Sequence, residues 1–210
     1  MIEFHDVLKS YSEPVLRIPS LSIAPNEHIG IHGPSGTGKT TFLNLISGLI
    51  TVTSGRLTVN GTELAGLSES GRDRFRAAHV GTIFQSFNLV EGYTALENVM
   101  LGQVFLKGRS DRSKAVAMLD QVGLSDRMNH VPATLSVGQQ QRVCIARALV
   151  NDPDILLADE PTGSLDPANA ASVMDLIEEC SKGRTLLLVS HDPAVLDRFQ
   201  NRLSLSEFRP

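Results

Sequence analysis

Excess charge of either sign is missing from this chain. Its 210 residues carry 19 Lys and Arg against 23 Asp and Glu, a formal net charge of −4. Nothing electrostatic therefore draws it to nucleic acid or to an anionic membrane surface. Basic runs do occur, at Arg72-Asp73-Arg74-Phe75-Arg76 and from Lys107 to Lys114, but acids and small polar residues interrupt both, as on a solvated face. Cysteine is scarce. Cys144 and Cys180 offer no metal-ligand spacing and no disulfide framework, and the apolar helical stretch around Cys144 makes it a core residue. No apolar run reaches the length of a membrane span, since Leu89 to Leu106 is broken by Glu91, Glu97 and Asn98. The opening MIEFHDVLKS has no signal-peptide pattern. Repeats, low-complexity tracts and long linkers are absent as well. These absences point to a soluble, cytosolic protein, so a role at a membrane would need a partner that does the spanning. With 41% hydrophobic and 20% charged residues, the chain has an ordinary globular composition and the length for a substantial core.

What is present is an ordered succession of elements. Ile2–Val7, Val15–Ile18 and Leu21–Ile23 read as strands punctuated by Pro14, Pro19 and Pro25, and Arg56–Val59 and Glu63-Leu64 flank the hairpin signal Asn60-Gly61. Val80–Phe84 is a further short strand. From Ala95 to about Val150 the pattern turns helical, with turns at Gly108, Gly123 and Pro132. Strands and helices then alternate: Ile155–Ala158, a helix from Pro167, Leu186–Val189, a helix from Pro193, and Leu203–Leu205. Such alternation argues for a parallel sheet. The expectation is one α/β domain over 1–210, with an antiparallel β part and an inserted helical subdomain at about 90–150.

The stretch Gly33-Pro34-Ser35-Gly36-Thr37-Gly38-Lys39-Thr40 has the spacing G-x-x-x-x-G-K-[ST]. Its glycines allow a turn in which successive N–H groups converge on a phosphate chain. Lys39 would reach the outer phosphates and the Thr40 hydroxyl would face Mg²⁺. Before the loop, His28–His32 reads as a strand. After it, Phe42, Leu45, Ile46 and Leu49 fall at i, i+3, i+4 and i+7, one apolar helical face. Strand, glycine loop, helix is the order that sets phosphates at a helix N-terminus.

Two further stretches carry chemistry. Ile155 to Ala158 is an apolar strand that runs into Asp159 and Glu160. Asp159 can hold Mg²⁺, and Glu160 suits a general base for an attacking water, although an acidic strand cap is the plainer alternative. Leu135-Ser136-Val137-Gly138-Gln139-Gln140-Gln141-Arg142 opens a helix, and Ser136 with Gln139 three positions on is a capping box. Capping alone accounts for the pattern locally. The sharper reading is that the helix start binds an anion, with a second subunit as the source of the phosphate.

Taken in order, GPSGTGKT, LSVGQQQR, ILLADE, Ser164-Leu165-Asp166 and His191 resemble an ATP-binding cassette (ABC) ATPase, and the resemblance covers essentially the whole chain. FQSFNLVEGYTALENV and LSVGQQQRVCIARALV, with GPSGTGKTT, are most similar to the lipoprotein-release and macrolide-export branch. The resemblance implies a P-loop NTPase (RecA-like) core, and nucleotide contacts from the loop through Thr41. It implies an adenine-stacking role for Tyr11, otherwise an edge-strand tyrosine, and a Mg²⁺- and water-sensing role for Gln85. Catalytic roles fall to Glu160, His191 and Gln85, with Thr40, Gln85 and Asp159 at the metal. The segment Ser164-Leu165-Asp166 would cross a dimer interface, where Ser136, Val137, Gly138 and Gln139 meet the ATP of the other cassette. Two such cassettes, in a homodimer or a heterodimer, stack around ATP and Mg²⁺ and drive an integral membrane permease subunit. The chain would then be cytoplasmic, peripheral on the cytosolic face of the inner (plasma) membrane. Export or envelope mechanotransmission is the expected direction. An importer ATPase is the alternative, and a soluble non-transport ABC ATPase the more distant one. The usual LSGGQ has glycine where this chain has Val137, and a β-branched residue resists positive φ, so ordinary backbone geometry is expected there. The cargo belongs to the missing partner. Phe87, Leu89 and Tyr93, just beyond Gln85, are candidates to line a groove for that partner, whereas Val90 is expected to pack beneath the helical subdomain.

Overall fold

The computed structural model describes residues 1–106 and 110–210. Lys107 at the head of the second basic run and the turn at Gly108 lie outside the described residues. In chain order the elements are β1 (Ile2–Ser10), β2 (Pro14–Ile23), β3 (His28–His32), α1 (Lys39–Ile46), β4 (Ser54–Val59), β5 (Thr62–Glu63), α2 (Glu69–His79) and β6 (Val80–Ile83). There follow α3 (Ala95–Leu101), α4 (Arg112–Gln121), α5 (Val137–Leu149), β7 (Ile155–Asp159), α6 (Pro167–Cys180), β8 (Thr185–Val189), α7 (Pro193–Leu196) and β9 (Asn201–Ser204). The chain divides into two units, Met1–Arg76 with Arg184–Pro210, and Ala77–Gly183. No helix among the described residues is long and apolar enough to cross a membrane.

The first unit holds an antiparallel sheet in the order β2-β1-β4-β5. Pro19, expected between two strands, lies within one continuous β2. As an edge strand β2 has an outer side that needs no N–H donor, so the proline is tolerated. Alternation in β1 buries Ile2 and Phe4, then switches phase to Val7 across Asp6, whose φ is 49°; the register against β4 shifts at the same place. This is a bulge, and it re-aims the strand. Asn60 and Gly61, at φ 48° and 74°, make the expected two-residue turn between β4 and β5. The unit's other strands are parallel, with β3 between β8 and β9. Their continuous apolar runs, Leu186 to Val189 and Ile29 with Ile31, are fully buried, as in a sheet covered on both faces. Phe4 of β1 stacks on Phe42 of α1 at 5.3 Å, which fixes α1 against the antiparallel sheet.

Leu49 does not continue the α1 face. The helix stops at Ile46, Gly48 turns left-handed at φ 69°, and Leu49 is 52% exposed. Gly48 is a helix stop of the usual kind, and the apolar spacing merely runs past it. Helix α2 has no counterpart in the sequence reading. Phe75 is its only buried residue, so periodicity was too thin to show it.

In the second unit β6 and β7 pair in parallel, Val80 against Ile155 through Ile83 against Ala158. Helices α3, α4 and α5 pack on one another, and α5 also packs on β6 and α6. Leu119, Val143, Ile145 and Leu149 are among the residues that fill this core. Cys144 and Cys180 are both buried free thiols, as expected of Cys144.

Candidate active site

In the first unit the phosphate loop and His191 leave neighbouring strands together. Ile31 of β3 pairs with Val189 of β8, and Gly33 and His191 each follow two residues later. Both therefore emerge at strand C-terminal ends, where open α/β sheets present their ligands. Ser190, between strand and histidine, donates its N–H to Ile31 O at 3.1 Å. Gly38 caps α1 at φ 86° with no side-chain hydrogen bond, and a Cβ there would come within 2.9 Å of Leu16. Only glycine fits. Lys39 folds back over the loop and donates to Gly33 O at 2.8 Å and Pro34 O at 3.0 Å, while buried Thr37 braces it through Pro34 O at 2.8 Å. The turn holds its backbone in the curved form that receives an anion, and α1 adds the favourable end of its dipole.

Tyr11 lies just past the end of β1, 60% exposed, with Lys9 Nζ 4.9 Å from its ring centroid. It shares an open pocket of about 780 Å³ with Val15, Gly36 and Arg209. Gly36 belongs to the phosphate loop, so one cavity runs from loop to aromatic ring.

The second unit repeats the strand-end logic. Ile83 pairs with Ala158, so Gln85 and Glu160 both lie two residues beyond a paired position, and Asp159 closes β7. A Cβ built on Gly163 would lie 3.8 Å from both Gln85 Nε2 and Glu160 Cβ, which makes these three neighbours. Glu160 is 9% exposed and has a left-handed backbone, φ 47°. Glu160 O accepts the Gly163 N–H at 3.1 Å, and Leu165 N donates to Thr162 O at 3.0 Å, folding the chain from Glu160 to Asp166 into tight turns. Asp166 is the N-cap of α6. Its carboxylate accepts from Ala168 N, Asn169 N and Asn169 Nδ2, and the Asn169 bonds first of all hold its pKa down. Ser164 and Asp166 stay exposed and Leu165 is half-buried.

The capping box at α5 is present in full. Ser136 Oγ accepts from Gln139 N at 3.3 Å, and Gln139 Oε1 accepts from Ser136 N at 2.9 Å. Val137 is the first helical residue, right-handed and 46% exposed. A Cβ at Gly138 would come within 3.0 Å of Asn169 Oδ1 on α6, so the helix start runs close beside that side chain. The N–H groups of Val137 and Gly138 have no acceptor among the described residues, which leaves two donors at the helix start.

Beyond Gln85 the chain has no regular structure until α3. Phe87, Asn88, Leu89 and Glu91 line a groove of about 360 Å³ with Pro132, Ala133 and Gln140. Tyr93 is not among its lining residues and is 44% exposed. Val90 is 43% exposed, so it does not pack beneath the helices. The reason is Asn98, whose buried amide accepts from Val90 N and donates to Val90 O, Tyr93 O and Thr94 O at 2.8–3.1 Å. Asn98 takes the inward place that an apolar side chain would have filled. Its part was hidden in the sequence because all its partners are backbone groups.

A family model described as "ABC transporter" matches residues 16–163. The ABC transporter ATP-binding protein YtrE of Bacillus subtilis is 46% identical over 92% of this chain and 86% of its own length. The lipoprotein-releasing system ATP-binding protein LolD 2 of Rhodospirillum rubrum is 41% identical over 100% of this chain and 95% of its own. The macrolide export ATP-binding/permease protein MacB of Syntrophobacter fumaroxidans is 39% identical over 93% of this chain, which spans 29% of that protein. Among solved structures, a dimeric post-hydrolysis state of the ATP-binding cassette MJ0796 bound to ADP and Pi superposes with a TM-score of 0.88 at 35% identity, covering 100% of this chain and 94% of that one. The chain belongs to the ABC transporter family, as an ATP-hydrolysing cassette.

Proposed function

We propose that this cassette closes with a second one around ATP and drives a separate membrane permease, in export or in mechanical transmission across the envelope. The observation that carries the dimer is the start of α5, where a complete capping box leaves the Val137 and Gly138 N–H groups without acceptors. A phosphate from a second molecule supplies them. The dimeric MJ0796 cassette supports that reading, and the lipoprotein-releasing and macrolide-export relatives support the direction. Held by its permease, the chain would sit on the cytosolic face of the inner (plasma) membrane.

Residue by residue, Gly33 to Thr41 hold the phosphates and Tyr11 stacks on adenine. Glu160 takes a proton from the attacking water, His191 contacts the γ-phosphate, and Ser164, Leu165 and Asp166 face the other cassette. Mg²⁺ is expected on Thr40, Gln85 and Asp159, where it would neutralise phosphate charge. These oxygen donors suit it. Among the described residues no group of three or more His, Cys, Asp or Glu could form a metal cage, and Mg²⁺ characteristically takes one or two carboxylates with substrate phosphates and waters.

Glu160→Gln tests the reading. It keeps the shape and removes the base, so hydrolysis should slow by about 10²-fold or more while ATP still binds. Size-exclusion chromatography with ATP should show a persistent dimer, because hydrolysis is what reopens it. Near-wild-type turnover would exclude Glu160 as the base, and a variant that binds ATP yet stays monomeric would exclude closure of two cassettes.

A further inference from the structure

Lys9 and Tyr11 stand two residues apart at the end of β1, a spacing that turns both side chains to one side of an extended chain. They meet there. Lys9 Nζ lies over the Tyr11 ring, 4.9 Å from its centroid, and so covers one of the two faces on which a base could stack. The ammonium is itself held in place, donating to Thr51 O at 2.9 Å.

Thr51 belongs to the segment between α1 and β4, and that segment grips the end of β1 at further points. Thr53 N donates to Leu8 O at 2.8 Å, while Thr53 Oγ1 accepts from Ser10 N at 2.9 Å and donates to Ser10 O at 3.3 Å. Leu8, Lys9 and Ser10 are thus each tied to it. The register of β1 on β2 shifts between Lys9 and Ser10, so the threonines steady the strand where its ladder is irregular. Just beyond, Tyr11 N donates to Glu13 O at 3.0 Å in a tight turn. At 60% exposure the Tyr11 ring has little packing to set its orientation.

Two physical effects follow from a cation in that place. The negative face of the phenol ring attracts the ammonium, which fixes the ring before a ligand arrives and lowers the ordering cost of binding. The cation also draws electron density toward itself, so the opposite face repels an electron-rich purine less.

We infer that Lys9 is a positioning residue for the nucleotide base: anchored on Thr51 O, it covers one face of Tyr11 and readies the other to stack on a purine. The inference rests on the proposed stacking role of Tyr11 and adds the residue that prepares it.

Calorimetry on the full chain compares Mg·ADP, which offers base and phosphates without turnover, with Mg·tripolyphosphate, which has no base. Lys9→Met keeps most of the stem and removes the charge. It should weaken Mg·ADP about 5-fold, the sum of a lost exposed cation–π contact and the cost of ordering a freed ring. Tripolyphosphate affinity and melting temperature should stay nearly unchanged. Lys9→Arg, whose guanidinium also lies on aromatic faces, should restore most of the ADP affinity. In a Tyr11→Ala background, where ADP binding is already weakened, Lys9→Met should cost nothing further, as when one residue acts through another. Unchanged ADP affinity in Lys9→Met, with Tyr11→Ala impaired, overturns the inference alone. So does an equal loss for tripolyphosphate, which would put the Lys9 charge on the phosphates, or a loss that persists in the Tyr11→Ala background. Wild-type ADP affinity in Tyr11→Ala overturns the stacking itself and the inference with it. Lys9→Gln replaces the methionine variant, under the same expectations, should that one not fold.

Discussion

Six residues other than glycine have positive φ among those described: Asp6, Asn26, Asn60, Asn88, Asp152 and Glu160. Five are Asp or Asn, whose short polar side chains make the left-handed region tolerable. Glu160 has no such excuse. Its backbone is strained at the residue proposed as the general base, and strain of this kind persists where surrounding structure over-determines it for function. The charge and the strain can be separated. Glu160→Gln and Glu160→Asn both remove the carboxylate and both should lose hydrolysis, but only asparagine suits φ 47°. Glu160→Asn should therefore be the more stable of the two by about 1 kcal/mol, a melting temperature higher by ~2–4 °C in a chain of this size. Equal melting temperatures, or a lower one for asparagine, would mean that the conformation costs nothing and is no sign of function.

At the scale of elements, the anion site at α5 can be tested by complementation. Ser136→Arg adds bulk beside the Val137 and Gly138 N–H groups and removes the Ser136 Oγ acceptor for Gln139 N. Loss of one cap costs about 1 kcal/mol, so the chain should still fold while ATP-driven dimerisation fails. Lys39→Ala should fail for the opposite reason, at the phosphate loop. Mixed together, the two variants can assemble one site in which both faces are wild type, so ATP-dependent dimers should return in part. Strong dimerisation of Ser136→Arg alone with ATP would sink the shared site. The capping box was legible because its two partners sit three residues apart in sequence. The paired strand ends were legible because buried parallel strands are continuous apolar runs. Elements governed by context were not: β2 runs through Pro19 because it lies at a sheet edge, and α2 buries too little to leave a period. The contacts that Asn98 and Lys9 make were also unreadable, since their acceptors are carbonyls that every residue possesses.

For the whole molecule the decisive question is what the groove beside Gln85 receives. Phe87 and Leu89 are half-buried in its wall, while Tyr93 and Val90 are exposed near it at 44% and 43%. Four large apolar side chains on one short segment without regular structure are more than solubility favours, and such patches mark partner surfaces. A cytosolic helix of the permease would cover them with its own apolar face. Phe87→Asp or Leu89→Asp should then weaken co-purification with the membrane subunit and abolish transport, with ATP binding by the isolated chain retained. Because both side chains are half-buried, a carboxylate there could also loosen the fold, and matched melting temperatures must accompany each result. Val90→Asp supplies the safer variant, since an exposed position tolerates charge at little cost to stability. A permease that covers the whole segment would be weakened by it too, whereas one confined to the groove would not. Should all three variants fold, bind ATP, assemble and transport like the wild type, the permease must dock on another face of the molecule.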